Sequence, residues 1–231
     1  MHEIAAQLPG AAPDLLICSV GGGGLINGIC QAMDDLGTHG RTTVLAVETA
    51  GADSLAASLR AQRPVTLDRI TSAATSLGCA RVTDATFGYG QRASVRSVVL
   101  SDAEAAMGCW RLADDERLMV ELACGVNVAL CYGGRLERAL GRPVQREDKV
   151  VVVLCGGSNV TSQMLCQWRD EFAGVEEEDL DEGRPGGDSA LGSEAGSEAG
   201  SVEHGEIGKV PSEWSKPVVS EGVEAPCPSC R

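Results

Sequence analysis

A short apolar run, Leu15-Leu16-Ile17-Cys18-Ser19-Val20, ends in four consecutive glycines, Gly21–Gly24, and an amphipathic stretch starts at Leu25. No other feature constrains the fold as tightly. A continuous run of this length suits a strand covered by helices on both faces. Beyond the glycines, Leu25, Ile29, Ala32, Met33 and Leu36 recur at helical spacing, which predicts a helix over 25–36 with these residues on its buried face. A strand that turns through glycines into a helix places unpaired N–H groups and the positive end of a helix dipole at one point, a favourable place for an anion. Glycines add close backbone approach and positive φ. The same residues also suit a tight strand-to-helix turn that binds nothing, and the local sequence leaves both readings open.

The pattern repeats along the chain. Residues 44–47 (VLAV) and 150–154 (VVVVL) are further apolar runs of strand length. Ser101 and Glu104 form an S-x-x-E capping box that opens a helix through Trp110. Residues 119–140 read as helical, although Gly125 and the Gly133–Gly134 pair interrupt them, and residues 159–173 place Val160, Met164, Leu165, Trp168 and Phe172 along one side. Strands alternating with helices predict an α/β architecture: an open, mostly parallel sheet with helices on both faces, spanning residues 1–173. From Gly174 onward the character changes. Residues 174–231 carry 14 Asp+Glu against 4 Lys+Arg, whereas residues 1–173 carry 19 against 15. With its G-S-E-A repeat and few large apolar residues, that acidic tail cannot offset its ordering entropy, and disorder is expected.

Composition narrows the function classes. No basic cluster tracks a phosphate backbone, so nucleic acid is a poor partner. No apolar run approaches the roughly 20 residues of a membrane helix, and no secretory signal is evident. Eight of the ten cysteines (Cys18, Cys30, Cys79, Cys109, Cys124, Cys131, Cys155, Cys166) lie in apolar segments, where free thiols behave as small hydrophobes. A reducing, cytoplasmic setting is therefore expected. His2, His39 and His204 form no ligand pattern, and the terminal Cys227-x-x-Cys230 pair supplies half of the four ligands a structural zinc needs.

The anion at the glycine turn can be narrowed. A dinucleotide fingerprint needs glycines at i, i+2 and i+5. Starting from Gly21 or Gly22, the third falls on Ile26 or Asn27. No Gly-Lys-Ser/Thr follows, which excludes an NTPase P-loop. Glu48, at the end of the second apolar run, keeps a ribose-binding reading open as the weaker alternative. A second glycine turn, Cys155-Gly156-Gly157-Ser158-Asn159, follows the last apolar run. Both turns leave strands at their carboxyl ends, where open α/β sheets bind ligands.

Five ordered motifs, S-V-G-G-G-G-L (19–25), A-V-E-T-A-G-A-D-S (46–54), I-T-S-A-A-T-S-L-G (70–78), V-E-L-A-C-G (120–125) and L-C-G-G-S-N (154–159), resemble those of serine dehydratases, pyridoxal-phosphate enzymes of the tryptophan-synthase-β-like, fold-type II group. The resemblance runs over residues 1–173. It implies that Gly21, Gly22, Gly23, Gly24 and Leu25 present amides to the cofactor phosphate and that Cys155 lies against the pyridine nitrogen as a largely neutral thiol. It further implies that the Glu48 and Ser54 side chains, with the carbonyls of Ala52, Leu77 and Cys79, hold a potassium-like monovalent cation. The implied reaction is β-elimination from L-serine, with L-threonine a second substrate, to pyruvate and ammonia, in a homodimer.

The departures concern the lysine. The family's Schiff-base lysine precedes the glycine turn, but the only lysines here are Lys149, Lys209 and Lys216. None is placed to serve. Leu122 also stands where V-E-P-A-C-G has proline. Two expectations follow: the sequence is a piece of a longer dehydratase or an inactive truncated form of one, or it is a non-catalytic relic of the family that acts as an interaction protein.

Overall fold

The structure, a computed structural model, describes residues 1–8 and 12–175. The acidic tail beyond Val175, with Lys209, Lys216, His204 and the Cys227/Cys230 pair, lies outside them. Four strands form one wholly parallel sheet: β1 (Leu15–Ser19), β2 (Thr43–Thr49), β3 (Val95–Leu100) and β4 (Val150–Val152), in the order β3-β2-β1-β4. Among the described residues, eight α-helices accompany them: α1 (His2–Gln7), α2 (Gly24–Asp35), α3 (Ser54–Ala61), α4 (Asp84–Gly90), α5 (Asp102–Glu116), α6 (Leu122–Ala129), α7 (Arg135–Leu140) and α8 (Ser162–Phe172).

The two central strands explain the layering. All five residues of β1 are buried, and alternate ones point to opposite faces. Leu15 and Ile17, with Leu45 and Val47 of β2, join the core under α5, α6 and α8. Leu16 and Cys18, with Val44 and Ala46, join a second core that includes Ile26, Ile29, Cys30 and Met33 of α2 and Leu55 of α3. Helices therefore cover both faces, as the sequence predicts. The chain winds outward from β1 through β2 to β3, then returns to β4 on the other side of β1. The order reverses between β1 and β4, which makes their carboxyl ends the topological switch point.

Several sequence expectations change in detail. The helix after the glycines is rotated by about one residue. It buries Ile26, Ile29, Cys30 and Met33, while Leu25 and Leu36 are 42% and 37% exposed. Residues 119–140 are two helices, broken where Gly133 and Gly134 adopt positive φ. The last strand is half-buried at the sheet edge, and Cys131, Cys155 and Cys166 are exposed. All eight described cysteines are free. Strand β3 and helices α3 and α4 carry no clean periodicity and are supplied by the tertiary fold. No helix among the described residues is long and apolar enough to cross a membrane.

Candidate functional site

The first glycine turn leaves β1 at the switch point. Val20 N–H still donates to the Val47 carbonyl of β2, so the sheet holds the chain up to the start of the turn. The first bond of α2 then runs from Asn27 N–H to the Gly23 carbonyl. Between these points, the amides of Gly21, Gly22 and Gly23 have no acceptor among the described residues, and the helix start adds those of Gly24 and Leu25. Gly23 caps the helix with φ near 102°, and a Cβ there would overlap Thr86 of α4. At Gly24, by contrast, a Cβ would meet nothing within 4 Å, so the mouth of the cradle is open. Thr86 and two partners fix the turn from behind. The Asn27 side-chain amide donates to Thr83 Oγ1 (3.1 Å), Thr86 Oγ1 donates to Asn27 Oδ1 (3.0 Å), and Thr83 N–H donates to the Gly22 carbonyl (3.2 Å). Sequence reading passed over this trio. Its one signal was Thr83 in the helix N-cap position of α4.

The second glycine turn leaves β4 beside the first. Ser19 Oγ lies 3.8 Å from Cys155 Sγ, and Cys155 N–H donates to Cys124 Sγ at 3.4 Å. Hydrogen bonding to Cys124 is the main cause that lowers the Cys155 pKa to about 6. Ser19 acts in the same direction, while desolvation and Glu121 oppose. The Cys124 thiol is pushed the other way, by the same contact and by burial. This corrects the expectation of a mostly neutral thiol at Cys155. A sequence shows an ordinary cysteine; the fold adds a donor beside it. Glu121 N–H donates to the Gly156 carbonyl (3.3 Å), and a side chain at Gly157 would overlap the Met119 carbonyl, so motifs 120–125 and 154–159 form one joint.

The remaining motifs close on the same rim. Thr49 Oγ1 and Ser72 Oγ share a hydrogen bond of 2.7 Å, Ser72 Oγ donates to Asp102 (2.6 Å), and Thr71 N–H donates to the Gly51 carbonyl (3.0 Å). That clasp carries the 70–78 loop under the first glycine turn. A Cβ on Gly21 would stand 3.5 Å from Leu77, and one on Gly22 would stand 3.2 Å from Cys79 Sγ. Glu48 is 0% exposed, and its two oxygens accept the amides of Leu55 and Ala56 at 2.8 Å each, capping α3. Sealed inside the fold, it is out of reach of a ribose hydroxyl, and the nucleotide reading loses its support. Burial outweighs the two amides and raises the Glu48 pKa to about 7. Ser54 Oγ is buried without a hydrogen-bond partner, and Ala52 is fully buried between Glu48 and Ser54 in the chain. Among the described residues, no cluster of three or more His, Cys, Asp or Glu side chains could hold a metal ion, so any cation here would lean on carbonyls.

Lys149 stands at the far end of the sheet. Its carbonyl accepts the amides of Asp14 and Leu15 at the amino end of β1, and six residues of extended chain, about 20 Å, separate it from Cys155. A lysine side chain cannot bridge that gap.

The chain is similar to known proteins over most of its described length. A Saccharomyces cerevisiae chain named as a truncated L-serine dehydratase is 42% identical over 151 residues, covering 65% of this chain and 72% of its own length. An L-serine dehydratase of S. cerevisiae strain RM11-1a is also 42% identical over 151 residues, but those residues are 45% of its length. A serine dehydratase-like protein of Mus musculus is 42% identical over 167 residues, 71% of this chain and 50% of its own. The chain thus spans about half the length of these two longer relatives. Among solved structures, a fungal L-serine ammonia-lyase from Rhizomucor miehei superposes with a TM-score of 0.70 at 30% identity, covering 74% of this chain and 54% of the other. The family pattern described as pyridoxal-phosphate dependent enzyme matches residues 1–156, and the chain belongs to that family.

Proposed function

We propose that this chain supplies the cofactor-phosphate end of a pyridoxal-phosphate-dependent L-serine dehydratase. The reaction eliminates water from L-serine, with L-threonine a second substrate, and yields pyruvate or the corresponding keto acid and ammonia. The observation that carries the reading is the meeting of Ser19 and Cys155 across the β1–β4 switch point, directly beside the amides of Gly21–Leu25. The residues fit the group. The cradle offers unpaired amides and open space at Gly24 for a phosphate, and about 7 Å of extended backbone separates Gly21 from Ser19, the scale of one substituted pyridine ring. When bound, pyridoxal phosphate draws electrons from the substrate α-carbon.

The residues of the chain then have distinct work. The amides of Gly21, Gly22, Gly23, Gly24 and Leu25 bind the phosphate dianion, which the α2 dipole also favours. Ser19 and Cys155 would hold the ring nitrogen. Hydrogen bonding to Cys124 and Ser19 lowers the Cys155 pKa, which favours the form of its sulfur that would accept a hydrogen bond. Glu48, Ser54 and the carbonyls of Ala52, Leu77 and Cys79 take a monovalent cation such as potassium. Two observations support this: a buried carboxylate with a raised pKa, and the partnerless Ser54 hydroxyl. We place the active form in the cytoplasm as a homodimer, in keeping with the free thiols.

The test is calorimetric titration of the chain with pyridoxal phosphate. Binding should weaken at least roughly tenfold in Gly24→Asp, which sets a carboxylate in the open cradle without touching the packing, and should be unchanged in Lys149→Ala. Equal affinity in Gly24→Asp would overturn the placement. The chain alone should release no pyruvate from L-serine, because Lys149 is the only lysine among the described residues and it stands at the wrong end. That same fact favours the second reading, a non-catalytic member of the family that acts through interactions. The reading frame upstream separates them: a continuous S-x-K-x-R-G segment supports the dehydratase, and a stop codon in every transcript supports the interaction protein.

A further inference from the structure

We propose that Cys155 and Cys124 are a peroxide-reactive thiol pair, in which Cys155 is oxidised first and Cys124 resolves it as a disulfide. Cys155 is exposed on the turn after β4, whereas Cys124 is fully buried in α6, a helix whose eight residues are all buried. The amide of Cys155 donates to Cys124 Sγ at 3.4 Å, which sets the two side chains against each other. One thiol is therefore open to a small oxidant, and the second waits behind it on a rigid support. Nothing in the proposed phosphate chemistry uses Cys124. The acidity of the pair points the same way, since the exposed sulfur is the one with the lowered pKa and the thiolate is the reacting form. Cys18, Cys30 and Cys109 are pushed up by burial.

The chemistry balances with a hydroperoxide as oxidant. The Cys155 thiolate attacks one peroxide oxygen, the O–O bond breaks, and hydroxide leaves, giving the sulfenic acid. Cys124 then passes its proton to the departing oxygen as its sulfur attacks the Cys155 sulfur; an S–S bond forms, the S–O bond breaks, and water leaves. The peroxide is reduced and the two thiols lose two hydrogens in total. The disulfide draws the Cys155 sulfur towards α6 and away from Ser19. If the placement of the ring under Proposed function holds, the same step removes the partner of its nitrogen; the thiol chemistry itself does not depend on that placement.

The experiment treats the fully reduced chain with equimolar hydrogen peroxide and follows it by peptide mass mapping, with dimedone as the sulfenic-acid trap. The wild type should form a Cys124–Cys155 cross-link ahead of any change at the exposed Cys131 and Cys166. Cys124→Ser should instead accumulate the dimedone adduct on Cys155, and Cys155→Ser should leave Cys124 reduced. Oxidation of Cys131 or Cys166 while Cys155 stays free, or a Cys155 adduct in the wild type that never passes to Cys124, would overturn the pair. A parallel arm adds saturating pyridoxal phosphate, which should slow the cross-link on the order of tenfold if the ring covers Cys155. A cross-link that forms without such protection keeps the thiol pair and removes the ring placement.

Discussion

Glu48 shows how a single side chain reads differently in one and three dimensions. As a letter at the end of a strand it was compatible with a ribose contact, a cation ligand or an ordinary surface carboxylate. Folded, it is sealed from solvent and caps α3 with both oxygens. Its pKa rises from 4.5 to about 7 because the loss of hydration outweighs the two amides. Between those values the folded chain holds a proton that the unfolded chain has released. Its contribution to stability is therefore fully present below pH 4.5 and is lost as the pH rises through 7, on the order of 3 kcal/mol in all. Glu48→Gln should flatten that part of the profile of Tm against pH. Added potassium at pH 8 should raise the Tm of the wild type and leave the glutamine variant where it was. A wild-type profile that is flat between pH 5 and 7 would contradict the burial argument.

Among the elements, α5 and α6 pack closely against each other. A Cβ on Gly108 would overlap the Gly125 carbonyl and stand 2.8 Å from Ala129 N, and a Cβ on Gly125 would overlap Cys109 Sγ and the Ala105 carbonyl. Both glycines let the two helix backbones meet, and this brings Cys124 to Cys155. Gly125→Ala should cost about 1–3 kcal/mol in urea denaturation. Gly28→Ala, in α2 with nothing within 4 Å, should change stability by no more than about 1 kcal/mol and in the favourable direction. The start of α5 was legible in advance. Ser101 accepts the Glu104 amide, and the Glu104 carboxylate accepts the Ser101 amide, as the S-x-x-E spacing predicts. Capping is a local contact and can be read locally. The buried face of α2 could not, because Leu25 is as apolar as Ile26 and only the position of the sheet decides which of them is covered.

At the scale of the whole chain, the described residues leave both sheet edges, β3 and β4, unpaired. Strand β4 pairs only with β1, its three valines are half-exposed, and Leu118, Met119 and Leu154 are exposed. An open strand edge beside apolar residues favours association. The chain expressed alone should therefore sediment as dimers or larger species at micromolar concentration, and a monodisperse monomer in analytical ultracentrifugation would refute this.

The strand–glycine–helix unit, the α/β alternation and the capping box were fixed by residues within a few positions of one another, and the amino-acid sequence was sufficient for them. Five motifs spread from residue 19 to residue 159 also stood in the sequence, and the strand ends already predicted that the two glycine turns face one crevice. Parallel strands place their carboxyl ends together only after the chain has wound out to β3 and returned to β4. Tertiary structure alone set Cys124 behind Cys155, buried Glu48 and left the Ser54 hydroxyl partnerless. The physical reason is that periodicity and capping arise from neighbours along the chain, whereas desolvation and the acidity of a thiol depend on groups that are neighbours only in space.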